Sequence, residues 1–284
     1  MRKKLQFSYQ NKKVLNISKI DFEQGKIYGI VGKNGAGKTT FFKALTNIIV
    51  NYKGVVEIDG ASIKNNFQSL SKVGIVLDDL ELYKSHTGLF NLRYFGGLRG
   101  GFDEVQAIKL ADELEIADSL DKKVSSYSLG MHKKLILLIS IMNDAQILIF
   151  DEPFRGLDAK SVNWFKNYLI DLKNQGRTIL ISSHIQDDIE SLSDKVLVLS
   201  NGDFNGVFDL KNEAQNFIYR VEVSDQQAFI KLLEQNTILF EVQDKLIKFE
   251  LGEAAYKALF KQSVENGLEF SQIKKENKFA ELIK

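Results

Sequence analysis

Nine residues restrict this chain more than any other stretch: Gly32-Lys33-Asn34-Gly35-Ala36-Gly37-Lys38-Thr39-Thr40. They follow the spacing G-x-x-x-x-G-K-[ST]. Residues 26–31 before them read as a short buried strand, and residues 40–45 after them as the first turns of a helix. A strand that turns tightly through glycines into a helix directs backbone N–H groups at an anion, and the helix N-terminus adds partial positive charge. Lys38 is then placed to reach the β- and γ-phosphates of a nucleotide, and the Thr39 hydroxyl to ligate Mg²⁺.

The rest of the composition narrows the class. A length of 284 residues suits one large domain or two, and 44% hydrophobic content supplies a sizeable core. A formal charge of +1 gives no general basic field, so no nucleic-acid partner is expected. The absence of cysteine excludes disulfides and thiolate metal sites. The basic start, Met1-Arg2-Lys3-Lys4, leads into no apolar signal core. The most apolar run, 135–142, is broken by Asn143-Asp144, too short to span a bilayer. The chain is expected to be soluble, with any membrane role exercised through a partner.

Taken in order, residues 5–31 alternate like strands, interrupted by a polar turn at Gln10-Asn11-Lys12-Lys13. On position alone Tyr9 is an ordinary strand tyrosine, although an aromatic upstream of the phosphate loop can stack on a base. Turn signals around 51–60 suggest a small antiparallel sheet, and 73–77 a strand ending at Asp78-Asp79. Helical patterns then cover 89–98, 103–114 and 129–142, with Asp103 an expected N-cap. Residues 147–150 form an apolar strand that runs into Asp151-Glu152-Pro153, which puts two carboxylates at the strand end where α/β sheets bind ligands. A helix over 159–174, with Gly176 as its C′ residue, precedes a strand over 178–182 that ends at Ser183-His184. A strand over 195–199 closes at the hairpin signal Asn201-Gly202. From about 215 the order is β-α-β-β-α-β with a short final helix over 277–284, the split-βαβ, ferredoxin-like arrangement.

Together these stretches resemble the ATPase subunit of an ATP-binding cassette (ABC) transporter over about residues 5 to 210. Tyr127-Ser128-Leu129-Gly130-Met131 is similar to that family's signature, usually Leu-Ser-Gly-Gly-Gln. Asp151-Glu152 resembles its Walker B acids, Gly156-Leu157-Asp158 its D-loop and His184 its switch histidine, while Tyr9 falls at its adenine-stacking aromatic. The resemblance implies an α/β P-loop NTPase core with an antiparallel β-subdomain and a helical insertion at about 79–143. It implies ATP and Mg²⁺ as cofactors. Gly32, Lys33, Asn34, Gly35, Ala36, Gly37, Lys38, Thr39 and Thr40 would hold the phosphates, with Tyr9 on the base. Ser128 and Gly130 would face the γ-phosphate held by a twin chain in a nucleotide-sandwich homodimer, and Asp158 of the D-loop joins the expected nucleotide-binding set. Thr39, Asp151 and Asp78 form the expected metal set, and Lys38, Glu152 and His184 the expected catalytic set. An adjacent acid pair at a strand end suits this division, because a strand alternates its faces. Asp151 would hold Mg²⁺ through water while Glu152 orients or deprotonates the attacking water.

Three positions depart from the family pattern. Asp78 stands where a metal-sensing glutamine is usual, Leu129 replaces the first signature glycine, and Met131-His132 replace polar residues. The expected division is an ATP-binding domain over 1–212 and an accessory α+β domain over 213–284. The expected function is ATP hydrolysis powering export through a separate transmembrane permease. That places the chain in the cytoplasm, attached to the inner face of the membrane through the permease. The competing readings are a soluble ABC-type ATPase and an ATP-sensing regulatory module. One cassette, no heptad run and near-zero charge disfavour the first, and Glu152 disfavours the second.

Overall fold

The structure is a computed structural model that describes residues 5–9, 12–78, 80–98, 102–142, 145–211 and 216–283. The chain divides into two compact units, Met1–Val207 and Phe208–Lys284. The expected boundary at 212/213 lies outside the described residues.

The first unit opens with an antiparallel pair, β1 (Leu5–Tyr9) and β2 (Lys12–Ile17). Next come β3 (Ile27–Val31) and helix α1 (Lys38–Leu45). A two-stranded ribbon, β4 (Glu57–Ile58) and β5 (Ala61–Ser62), precedes β6 (Val73–Val76). Three helices follow: α2 (Gly88–Gly97), α3 (Glu104–Glu113) and α4 (Leu129–Ile141). Then alternate β7 (Ile147–Asp151), α5 (Ala159–Asn174), β8 (Thr178–Ser182), α6 (Gln186–Leu192), β9 (Lys195–Ser200) and β10 (Asp203–Asp209), the last strand running across the division at Val207.

The main sheet has the order β10-β9-β3-β8-β7-β6, and from β9 to β6 its neighbours run parallel. All five residues of β3 and of β8 are buried, as expected of parallel strands covered on both faces. Phe41 and Phe42 of α1 are fully buried against this sheet, each contributing about 2–3 kcal/mol of burial. Register then decides the chemistry: Asp151 pairs with Ser182, and Ser182 with Ile30. The ends of β7, β8 and β3 therefore finish level, next to the turn that starts α1.

The inserted helices are capped as their sequences direct. Thr87, Asp103 and Ser128 each accept a backbone N–H three residues on, from Phe90, Gln106 and Met131. Two elements carry no strong sequence signal. Helix α6 is seven residues long with Asp187 and Asp188 in its first turn, and β10 follows the Asn201-Gly202 turn with mixed polarity. Both residues of that turn have positive φ, 50° and 79°, the geometry of a tight hairpin.

The second unit contains β11 (Asn216–Val223), α7 (Gln226–Gln235), β12 (Phe240–Gln243), β13 (Leu246–Gly252), α8 (Glu253–Glu265), β14 (Phe270–Asn277) and α9 (Phe279–Ile283). Its sheet order is β12-β13-β11-β14, antiparallel throughout, which is the split-βαβ arrangement. Tyr219, Val221, Ile247 and Phe249 alternate onto one face and meet Phe229, Leu233 and Leu259 from the two helices. The sequence pattern predicts strands over 237–242 and 268–273 in this unit, and the structure shifts both. Thr237 takes φ 56° and closes α7, so β12 begins at Phe240. β14 continues to Asn277 through Lys274 and Lys275, which carry no apolar alternation.

Candidate functional site

The turn between β3 and α1 is set by glycines at two places. At Gly32 a Cβ would lie 2.3 Å from the Leu199 carbonyl oxygen, so no side chain fits. Gly37 has φ 107° and caps α1 from a left-handed backbone that other residues rarely adopt. The Lys38 ammonium curls back over the turn and donates to the carbonyls of Gly32 at 2.7 Å and Lys33 at 3.4 Å. A cation resting on neutral carbonyls is ready to exchange them for an anion.

Asp151 is 2% exposed at the end of β7. Thr39 Oγ1 donates to its Oδ2 at 2.5 Å, and Ser182 Oγ to its Oδ1 at 2.5 Å. These hydroxyls tie the first turn of α1 and the end of β8 to one carboxylate. Glu152 points elsewhere because its backbone turns left-handed, with φ 50°. Its N–H donates to both oxygens of Ser182, at 3.2 and 3.1 Å. Its Oε2 lies 2.8 Å from His184 Nδ1 and accepts the His184 N–H at 3.3 Å. One carboxylate therefore faces inward to hydroxyls and the next outward to an imidazole.

These groups border a single cleft of about 560 Å³. Asn34, Gly35, Gly37, Lys38, Thr39 and Thr40 line it on the α1 side, and Asp78, Asp151, Glu152, Arg155 and His184 on the other. Lys38, Thr39, Asp151, Glu152 and His184 are thus brought together. Tyr9 ends β1, but its ring, on which the base contact turns, lies outside the described residues. Ser128 and Gly130 open α4 and do not line the cleft. Asp158 caps α5, accepting from Ser161 N–H at 2.8 Å and pairing with Lys134 at 3.0 Å. Those contacts, the Ser161 backbone N–H first, hold its carboxyl well below the ordinary carboxylate range.

Asp78 borders the cleft with a cation at each carboxylate oxygen. Arg155 Nη1 donates to its Oδ2 at 3.0 Å, and Lys133 Nζ approaches its Oδ1 at 3.8 Å. Burial pushes the Lys133 ammonium below its usual value, and Asp78 leads the acids that oppose that shift. Sequence reasoning gave no role to Ser182, Lys133 or Arg155. Ser182 was recoverable from the strand register, which sets it beside Asp151. Arg155 has no motif of its own.

The donor set suits a magnesium nucleotide. No cluster of three His, Asp or Glu residues among the described residues is arranged to hold a metal alone. Mg²⁺ rarely uses such an all-protein cage; it takes one or two carboxylates, a hydroxyl and phosphate oxygens. Thr39 and buried Asp151, 2.5 Å apart beside a phosphate turn, are that combination.

Comparison with known proteins agrees. The family model described as "ABC transporter" matches residues 15–155. The Bacitracin transport ATP-binding protein BcrA of Enterococcus faecalis is 31% identical over 272 residues, covering 93% of this chain and 88% of that protein. The Lantibiotic transport ATP-binding protein SrtF of Streptococcus pyogenes is 30% identical over 198 residues, covering 70% of this chain and 85% of that one. A solved ATP-binding subunit of an ABC transporter superposes with a TM-score of 0.67 at 23% identity, covering 74% of this chain and 90% of that one. A nucleotide-free ATP-binding cassette gives 0.61 at 22%, covering 73% and 91%. These two share the fold. This chain belongs to the ABC transporter family, as an ATP-binding and ATP-hydrolysing subunit that powers transport through a separate membrane permease.

Proposed function

We propose that the site works on ATP with Mg²⁺ and that two copies of the chain build each complete site. The observation that carries the first part is the meeting of Lys38, Thr39 and Asp151 with the Glu152–His184 pair around one cleft. Lys38 would leave its carbonyls for the phosphates. Thr39 and Asp151 would hold Mg²⁺, which when bound offsets the charge that builds on the phosphates. Glu152, oriented by His184, would fix the attacking water and take its proton.

The second part rests on placement. Ser128 and Gly130 start α4 away from the cleft of their own chain, so an isologous pair is what would carry them to a twin's nucleotide. Ser128 as N-cap leaves the positive end of α4 open to an anion. No helix among the described residues is long and apolar enough to cross a membrane. The permease is therefore the proposed route to the cytoplasmic face of the membrane. The relatives named for bacitracin and lantibiotic transport favour export as the direction, and the permease would choose the substrate.

The test measures phosphate release from purified protein with and without Mg²⁺. Wild type should need Mg²⁺, and Lys38→Ala should bind a non-hydrolysable ATP analogue far more weakly. Mixing Lys38→Ala with Gly130→Asp should restore part of the activity that each lacks. Unchanged affinity in Lys38→Ala would refute the phosphate turn. Failure to recover, with mixed dimers shown to form, would refute the shared site.

A further inference from the structure

We propose that Arg155 binds the terminal phosphate of the nucleotide and that Asp78 is its resting place. This rests on the nucleotide reading of the cleft. Arg155 belongs to the turn that leaves β7, and its N–H donates to the Glu152 carbonyl at 3.3 Å. It therefore borders the cleft at the Glu152–His184 end, where the bond to the last phosphate is cut. Its side chain is 66% exposed, and Asp78 is its only hydrogen-bond partner among the described residues. A guanidinium carries five N–H donors in a flat fork that matches two phosphate oxygens. Most of that fork is unused.

Asp78 is built to let the arginine go. Its carboxylate also faces Lys133, whose side chain is only 10% exposed. When Arg155 moves to an anion, Asp78 keeps a cation beside it and no charge is stranded. An ion pair as exposed as Arg155–Asp78 is weak and easily broken, whereas an arginine–phosphate pair is charge-assisted on both sides. The aspartate thus has a use where a metal-sensing glutamine was expected: it stores an arginine rather than touching the metal.

Calorimetry with ADP and a non-hydrolysable ATP analogue tests this on the full chain. Arg155→Ala should weaken the analogue about tenfold and leave ADP binding as in wild type. Arg155→Lys should keep part of the affinity, and Arg155→Gln, which retains polar groups without charge, should lose as much as alanine. Asp78→Asn should free the arginine and tighten the analogue about two- to threefold, and that gain should vanish in the double variant with Arg155→Ala. Unchanged analogue affinity in Arg155→Ala, an equal loss for ADP, or a gain that persists in the double variant would overturn the assignment. If Arg155→Ala lowers only the melting temperature, the pair is a clasp between the ends of β6 and β7. A wild type that binds neither nucleotide would instead refute the nucleotide reading itself.

Discussion

Glu152→Ala and Glu152→Gly separate the backbone of this residue from its carboxylate. Both lose the contact with His184, so their difference reports the left-handed turn alone, at φ 50°. Holding an L-residue there costs about 1–2 kcal/mol. Glycine escapes that cost but gives up about 0.5–1 kcal/mol more chain entropy on folding. The net advantage of glycine is about 0.5–1 kcal/mol, a rise of roughly 1–4 °C in melting temperature for a unit of this size. Scanning calorimetry of the two nucleotide-free variants measures it. An alanine variant that melts at or above the glycine variant would show that the turn stores no strain. The strain has a purpose: it swings Glu152 out to His184 while the preceding residue, Asp151, points in to Thr39 and Ser182.

Two other substitutions read further parts of the site. Gly32→Ala would push a methyl to 2.3 Å from the Leu199 carbonyl, costing about 1–3 kcal/mol and weakening nucleotide binding; a normal melt with normal affinity would refute the close-approach argument. His132 on α4 has a buried Nε2 without a partner, near Glu81, Lys84 and Lys133, and burial holds its imidazole below its ordinary value of 6.5. The unfolded chain then takes up a proton first as pH falls below that value, so stability declines on acidification. Urea unfolding at about pH 7.5 and about pH 5.5 should show wild type losing more than His132→Gln, and equal losses would contradict the burial account.

Much of this was legible before any coordinates. The phosphate turn, the Asp151-Glu152 pair and the end of α5 follow from glycine spacing, from apolar runs ending in acids, and from a Gly C′. Those signals are local, so single-sequence reasoning reaches them. Contacts across the sheet were not legible. Ser182 meets Asp151 because β7 and β8 are in parallel register. Asp78 meets Arg155 across 77 positions of chain. No local pattern encodes either pairing, so the cations beside Asp78 could not be read from its own stretch of sequence. β14 was underestimated for a related reason: its Lys274 and Lys275 find Glu276 and Glu253 as partners, so the strand persists without apolar alternation.

The central claim is that Glu152 activates water in a cleft that binds ATP independently of it. Parallel measurement of phosphate release and of ATP affinity in Glu152→Gln tests it most directly. The amide keeps the shape of the side chain and cannot take a proton. Affinity should match wild type while turnover falls at least about a hundredfold. Turnover within about threefold of wild type, worth only ~0.7 kcal/mol in the barrier, would contradict the assignment of Glu152 as the base.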